Sequence, residues 1–250
     1  MVKPFFLIAL SMIFQFCGLH HPIALPGRDP GVPAPSHELW DGLLRKHVDA
    51  VGQVNYSGFA GDRAQLQAYL DTLSGHVPGE HWTREARLAY YINLYNAGTV
   101  MLIVQHYPLK SIKDISDPWG RKFLRIGEAQ VSLEDVEHGI LRKMDEPRIH
   151  FAINCASLSC PRLQARAYTE KELEKQLQTA AREFVNDPLR NRFSDNKAHL
   201  SRIFKWFKGD FTGRGLSLVQ FVNPYLATPL PDDARVEYLP YDWSLNDRLP

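Results

Sequence analysis

This 250-residue chain has few cysteines and almost no net charge, and each shortage excludes a class of protein. It contains three cysteines, 29 lysines and arginines, and 28 aspartates and glutamates, so its formal net charge is +1. A nearly neutral chain gives no electrostatic reason to expect a nucleic-acid partner. The cysteines also lack the paired spacing of zinc ligands. We therefore expect no nucleic-acid binding and no structural metal.

The sequence also lacks the short motifs of several large enzyme classes. It has no Gly-x-Ser-x-Gly elbow, no phosphate-binding loop, no dinucleotide fingerprint and no His-Glu-x-x-His pair. These motifs place a serine nucleophile, a nucleotide phosphate or a catalytic zinc ion. Without them, we expect no cofactor.

The most apolar stretch of the chain, Pro4–Phe16, follows Lys3 and is too short to span a bilayer comfortably. A basic residue before a short apolar run is typical of a secretory signal peptide, which we place at residues 1–17. Residues 18–35 are rich in proline and predict an extended tether. We therefore expect a periplasmic or secreted protein, which would contact the membrane only if Cys17 carries a lipid.

Residues 36–250 predict a single globular domain of the α+β class. The longest predicted helix, Arg84–Gln105, is apolar nearly all round, as expected of a buried central helix. Predicted hairpins at residues 123–131 and 192–200 supply short antiparallel strands. The expected architecture is a set of helices packed around the central helix and a small, mostly antiparallel sheet.

Polar side chains stand at two places where the helical pattern predicts burial. Asn93 and Asn96 lie on one face of the predicted central helix. Glu137 falls within the apolar stripe of a second predicted helix, Leu133–Lys143, with His138 at its edge. A buried amide or carboxylate is costly unless it is paired. The amides could bond to loop backbone or orient a site, and Glu137 could pair with an arginine such as Arg148 or face a site.

The segment Arg148–Leu163 contains the richest group of reactive side chains. Alternation of Ile149, Phe151 and Ile153 with His150, Ala152 and Asn154 predicts a strand. The strand pattern ends in a small polar loop that runs from Cys155 to Cys160. The loop could be a site, or it could be a strand end closed by a short disulfide.

Four motifs together resemble the "domain of unknown function 547" family of bacteria and plants. They are Tyr91–Ala97, Ser132–Arg142, Pro147–Pro161 and Tyr241–Asn246. The resemblance extends from about Ser36 to Asn246. It implies a fold and a set of landmark residues, but no established reaction.

Two hypotheses of different class fit the candidate residues. The first is an exported thiol-dependent hydrolase or acyl transferase that acts on amide or ester bonds, with Cys155 as nucleophile, His138 as base and Glu137 beside it. Asn96 and His150 would form the walls of its pocket, and the remaining candidate binding residues are Asn93, Asn154 and Cys160.

The second hypothesis is a non-catalytic envelope module that binds a small molecule or peptide, with a disulfide between Cys155 and Cys160. A free thiol in the mature protein favours the first hypothesis, and a complete disulfide favours the second. A metal held by His138, His150 and Cys155 is a less favoured alternative.

Overall fold

The computed structural model describes residues 31–194 and 196–248, so the expected signal peptide and most of the expected tether lie outside the described residues. The described part contains eight α-helices and five short strands, together with 3₁₀ and π-helical segments. The helices are α1 (Glu38–His47), α2 (Tyr56–Gly61), α3 (Arg63–Ser74), α4 (Arg84–His106), α5 (Leu173–Val185), α6 (Arg202–Trp206), α7 (Lys208–Thr212) and α8 (Leu218–Val222). The strands are β1 (Leu124–Ile126), β2 (Ala129–Val131), β3 (Arg192–Ser194), β4 (Lys197–Leu200) and β5 (Arg235–Tyr238).

Helix α4 is the buried centre of the fold, as the sequence predicts. The Thr83 side chain caps it by accepting a hydrogen bond from the Ala86 N–H. Its 23 residues would extend about 35 Å. Every residue from Leu88 to Val104 is buried, because α2, α3, α5 and the helical segments at residues 135–144 and 170–172 pack against the helix.

The strands confirm both predicted hairpins and the α+β class. Strands β1 and β2 pair antiparallel, with Leu124 opposite Val131. Strands β3 and β4 also pair antiparallel, and β5 adds to β4 in parallel, with Leu200 opposite Tyr238. The structure thus has a two-stranded sheet, in which Leu124 packs against Gly98 of α4, and a mixed three-stranded sheet. No helix among the described residues is both long and apolar enough to cross a membrane.

The predicted strand at residues 148–153 is wrong, because the segment Pro147–Phe151 is a 3₁₀ helix. Pro147 stands in its first turn, and the Glu146 carboxylate accepts the Arg148 N–H at its start. Apolar residues alternate in this segment because it runs between two hydrophobic clusters. Ile149 and Ile153 pack into the cluster around α4, whereas Phe151 packs among the aromatic rings of α5 to α8.

Three predicted helices are less regular than expected. The segment Leu133–Lys143 is helical, but Asp135–Ile140 is a π-helix and Leu141–Met144 is a 3₁₀ helix. The sequence Thr169–Glu172 has the pattern of a capping box and predicts a helix from Glu170, but the Thr169 side chain makes no cap hydrogen bond, and a 3₁₀ turn, Glu170–Glu172, precedes α5. The apolar pattern of Leu216–Leu226 predicts one helix, but the segment forms the shorter α8 followed by the 3₁₀ turn Asn223–Tyr225.

The Asn93 side chain is fully buried and bonds only to backbone. Its Nδ2 donates to the Tyr168 carbonyl at 2.7 Å, and its Oδ1 accepts the Tyr168 N–H at 3.1 Å.

Asn93→Leu would leave both backbone groups unpaired, so we expect the free energy of unfolding to fall by about 3 kcal/mol. Urea unfolding measures this. Gln67→Leu, on the exposed face of α3, is the control, and equal stability of the two variants would contradict this role.

Candidate functional site

A side chain of the central helix fixes the loop that carries Cys155. Asn96 Nδ2 donates to the Ala152 carbonyl at 3.0 Å, and Asn96 Oδ1 accepts the Asn154 N–H at 2.8 Å. Two hydrogen bonds from one rigid amide hold the backbone on both sides of Ile153. The position of Cys155 is therefore set by α4 and not by a strand.

Asn154 shapes the loop from within. Its Oδ1 accepts the Ala156 N–H at 2.8 Å, and its Nδ2 donates to the Pro161 carbonyl at 2.6 Å. Ala156 has a φ of 60°, a left-handed conformation that is uncommon for a residue with a Cβ. Such strain persists only where the surrounding contacts impose it, and it is common at functional sites.

The two thiols meet inside this loop, and both are free in the structure. Cys155 Sγ lies 2.6 Å from Cys160 Sγ, and the Cys155 N–H donates to Cys160 Sγ at 2.8 Å. Cys155 Sγ also lies 3.3 Å from both the Ser157 and Tyr241 hydroxyls. The hydrogen bond from Cys160, supported by the hydroxyls, lowers the pKa of Cys155 to about 7. Burial raises the pKa of Cys160.

Glu137 is a buried carboxyl whose pKa is shifted towards neutrality. Desolvation raises the pKa of Glu137 to about 7, and the negative charge of the Cys155 thiolate adds to the rise. The Tyr95 hydroxyl bonds to this carboxyl and opposes the rise. The predicted alternative partner, Arg148, instead binds Glu146 and Glu174, with its Nε 2.7 Å from Glu146 Oε1. Glu137 therefore faces Tyr95 and Cys155.

His138 lies beside Glu137, but its ring is bound to an arginine. Its Nδ1 is 2.7 Å from Arg142 Nη1, and because arginine only donates, Nδ1 must be an unprotonated acceptor. Arg142 in turn binds Asp210 through two hydrogen bonds of 2.6 and 2.8 Å. A neutral His138 then carries its proton on Nε2. The geometry does not favour the ring as the first acceptor of a thiol proton.

His150 and Asp210 complete this polar network. His150 Nε2 lies 2.7 Å from Asp210 Oδ2, and the ring stacks on Phe207 with 4.0 Å between centroids. Burial lowers the pKa of His150. Hydrogen bonds from Arg142 and His150 hold the pKa of Asp210 well below its usual range, although desolvation opposes them. No local sequence pattern marks Asp210, because its partners lie 60 or more residues away.

One pocket of about 220 Å³ brings five of the predicted site residues together. Its lining includes Glu137, His138, His150, Cys155 and Cys160. Asn93, Asn96 and Asn154 do not line it, since their amides bond to backbone. The rest of the wall is largely aromatic and was missed as part of a site: Tyr95, Trp119, Trp206, Phe207, Tyr241 and Trp243. Tyr95 falls in the first sequence motif, and Tyr241 and Trp243 fall in the fourth, so these two motifs were the available signals.

The proposed metal alternative finds no donor set in the structure. Within residues 31–194 and 196–248, no group of three or more histidine, cysteine, aspartate or glutamate side chains is placed to hold a metal ion. His150 is instead hydrogen-bonded to Asp210, and the Cys155 sulfur lies beside the Cys160 sulfur without a disulfide.

The fold and the pocket define an α+β protein with two thiols and a buried carboxyl in an aromatic cavity. Residues 79–185 match the family described as "Protein of unknown function, DUF547". This match covers α4, the hairpin β1–β2, the π-helical segment, both cysteines and α5, and it supports the resemblance indicated by the sequence motifs. No curated protein and no solved structure matches the chain.

The raised pKa of Glu137 predicts a pH-dependent stability. A carboxyl with a higher pKa in the folded than in the unfolded chain stabilises the fold at low pH, and this stability is lost as pH rises through about 7. Relative to Glu137→Gln, the wild type should lose about 2 kcal/mol of unfolding free energy between pH 5 and pH 7.

Urea unfolding of both proteins at the two pH values measures this difference. Glu128→Gln, which removes an exposed carboxylate from the hairpin turn, is the matched control and should follow the wild type. A constant difference between Glu137→Gln and the wild type would show that Glu137 is not held in this environment.

Proposed function

We propose that this protein is a thiol-dependent hydrolase or acyl transferase, with Cys155 as the nucleophile. The observation that carries the proposal is the pairing of Cys155 and Glu137 in one pocket, each with a pKa of about 7. The thiolate is the reactive form of cysteine, and a proton acceptor works best when its pKa lies near the working pH.

Glu137, and not His138, is the group that exchanges the proton in this mechanism. Two like charges in a buried pocket oppose each other, so the pair holds one proton between them near neutral pH. The Cys155 thiolate attacks the carbonyl carbon of the substrate while Glu137 is protonated. Glu137 then gives its proton to the departing alcohol or amine, which leaves a thioester on Cys155.

The thioester is resolved by water or by an acceptor nucleophile. The Glu137 carboxylate takes the proton of this second nucleophile, and Cys155 leaves as the thiolate that Cys160 and Tyr241 stabilise by hydrogen bonds. The Tyr241 hydroxyl lies 3.3 Å from the sulfur on the pocket wall and is a side-chain donor that could turn towards the oxyanion. His138 then has a positioning role, because it holds Arg142 beside Glu137.

The pocket wall indicates an uncharged, apolar acyl group as the substrate. Trp206, Tyr241 and Trp243 form a contiguous aromatic surface with ring centroids 4.6 to 5.7 Å apart. The positive charge of Arg142 is matched by Asp210, so it offers little attraction to an anion. A cavity of about 220 Å³ suits a short acyl chain or one amino-acid side chain. The partner is therefore a small molecule or a peptide.

A second candidate is a non-catalytic binding module with a Cys155–Cys160 disulfide. Two observations favour it: the sulfur atoms lie 2.6 Å apart, and the Cys155 N–H donates to Cys160 instead of facing the pocket as an oxyanion donor. Under either proposal we place the protein outside the cytoplasm, on the basis of Lys3 and the apolar run Pro4–Phe16.

Alkylation and acylation of Cys155 test the thiol enzyme. For the reduced protein, the rate of Cys155 modification by iodoacetamide should be half-maximal near pH 7. A nitrophenyl butyrate ester should acylate Cys155, detected by mass spectrometry, and the adduct should turn over. Glu137→Gln should slow turnover by about 10²-fold or more, while His138→Ala should slow it less.

Cys155→Ala is the control for acylation elsewhere on the chain. A complete disulfide in the purified mature protein, or modification of Cys155 no faster than that of the unfolded chain, would contradict the enzyme and leave the binding module.

A further inference from the structure

We infer that Cys155 and Cys160 form a redox-active dithiol that reduces the disulfides of small thiols or of peptides, with Cys155 as the attacking thiol and Cys160 as the resolving thiol. This activity shares Cys155 with the proposed acyl chemistry but needs no acyl substrate. It gives Cys160 a second role, as a resolving thiol, which acyl transfer does not require.

The two sulfur atoms differ in access, as an attacking and a resolving thiol must. Both cysteines line the pocket, but Cys155 is half-buried, whereas Cys160 is only 4% exposed. A substrate disulfide can therefore reach Cys155 first. A mixed disulfide on Cys155 would place its reactive sulfur beside Cys160, whose Sγ lies 2.6 Å away.

The loop is built so that closing the disulfide requires little movement. Asn154 ties its two ends together, and the Cys160 N–H donates to the Ser157 carbonyl at 3.1 Å. Arg190 holds the outer side of the loop by donating to the carbonyls of Cys160 and Leu158 at 2.7 and 2.9 Å. A Cys155–Cys160 disulfide closes a loop of few residues, so it adds little to the stability of the fold. This suits a redox couple that is repeatedly oxidised and reduced.

Thiol–disulfide exchange proceeds in two steps. It starts from the Cys155 thiolate and a protonated Glu137. In the first, Cys155 Sγ attacks one sulfur of the substrate disulfide, the substrate S–S bond breaks, and the first thiol leaves with the Glu137 proton. In the second, Cys160 gives its proton to the Glu137 carboxylate and attacks Cys155 Sγ. The second substrate thiol then leaves with that proton.

The substrate has gained two electrons and two hydrogens, and the protein holds a Cys155–Cys160 disulfide. A dithiol reductant returns the protein to its starting state. The Ser157 and Tyr241 hydroxyls, each 3.3 Å from Cys155 Sγ, stabilise this sulfur as the leaving thiolate when the bridge is reduced.

Reaction with dithiodipyridine, an uncharged aromatic disulfide, tests the inference in a Cys17→Ser background, where only these two thiols remain. The wild type should release two thiopyridones and retain no adduct, so that its mass falls by two hydrogens. The second release should follow the first at a rate independent of reagent concentration, because it is intramolecular. Cys160→Ser should release one thiopyridone and retain one adduct.

Cys155→Ser is the matched control, and its buried Cys160 should react at least about tenfold more slowly. A wild type that keeps two thiopyridyl adducts would overturn the inference, while the acylation test of Cys155 would be unaffected. A wild type that closes the disulfide but forms no acyl-Cys155 would overturn the acyl chemistry and leave the inference standing. Cycling with glutathione disulfide and dithiothreitol then measures turnover.

Discussion

The Asn96 amide joins the buried central helix to the backbone that carries Cys155, and the candidate site depends on this connection. Its two hydrogen bonds, of 3.0 and 2.8 Å, meet the chain at Ala152 and Asn154, directly before Cys155. A helix surrounded by hydrophobic side chains moves little, so a group fixed to it keeps its position. The site is thus built on the most rigid element of the fold, although Cys155 itself stands in a loop.

Several features of the pocket are unfavourable for folding, and they support the proposed site. Glu137 is desolvated next to an ionisable thiol, and Ala156 adopts a left-handed conformation. A chain selected for stability alone would replace the carboxyl by an apolar residue. A π-helical segment carries Glu137, and such segments are frequent at functional sites because they change the direction of side chains.

Much of the fold was predictable from the sequence, but the contacts that define the site were not. The central helix and both hairpins follow from hydrophobic period and turn residues, which are local. The prediction of a strand at residues 148–153 was wrong because the segment lies between two hydrophobic clusters. Its side chains enter both clusters, which produces the same apolar alternation as a strand. The buried amides and Glu137 were recognisable as anomalies, but Asp210, Tyr241 and the binding of His138 to Arg142 depend on long-range packing that no local pattern encodes.

We propose that Cys155 and Glu137 share one proton near neutral pH, and ¹³C NMR of the reduced protein can follow both groups. Labels at the cysteine Cβ and the glutamate Cδ report both titrations in one sample. We expect the Glu137 carboxyl and the Cys155 thiol both to titrate near pH 7, and Cys155→Ala to lower the midpoint of Glu137. A Glu137 that titrates near 4.5 and does not respond to Cys155→Ala would contradict it.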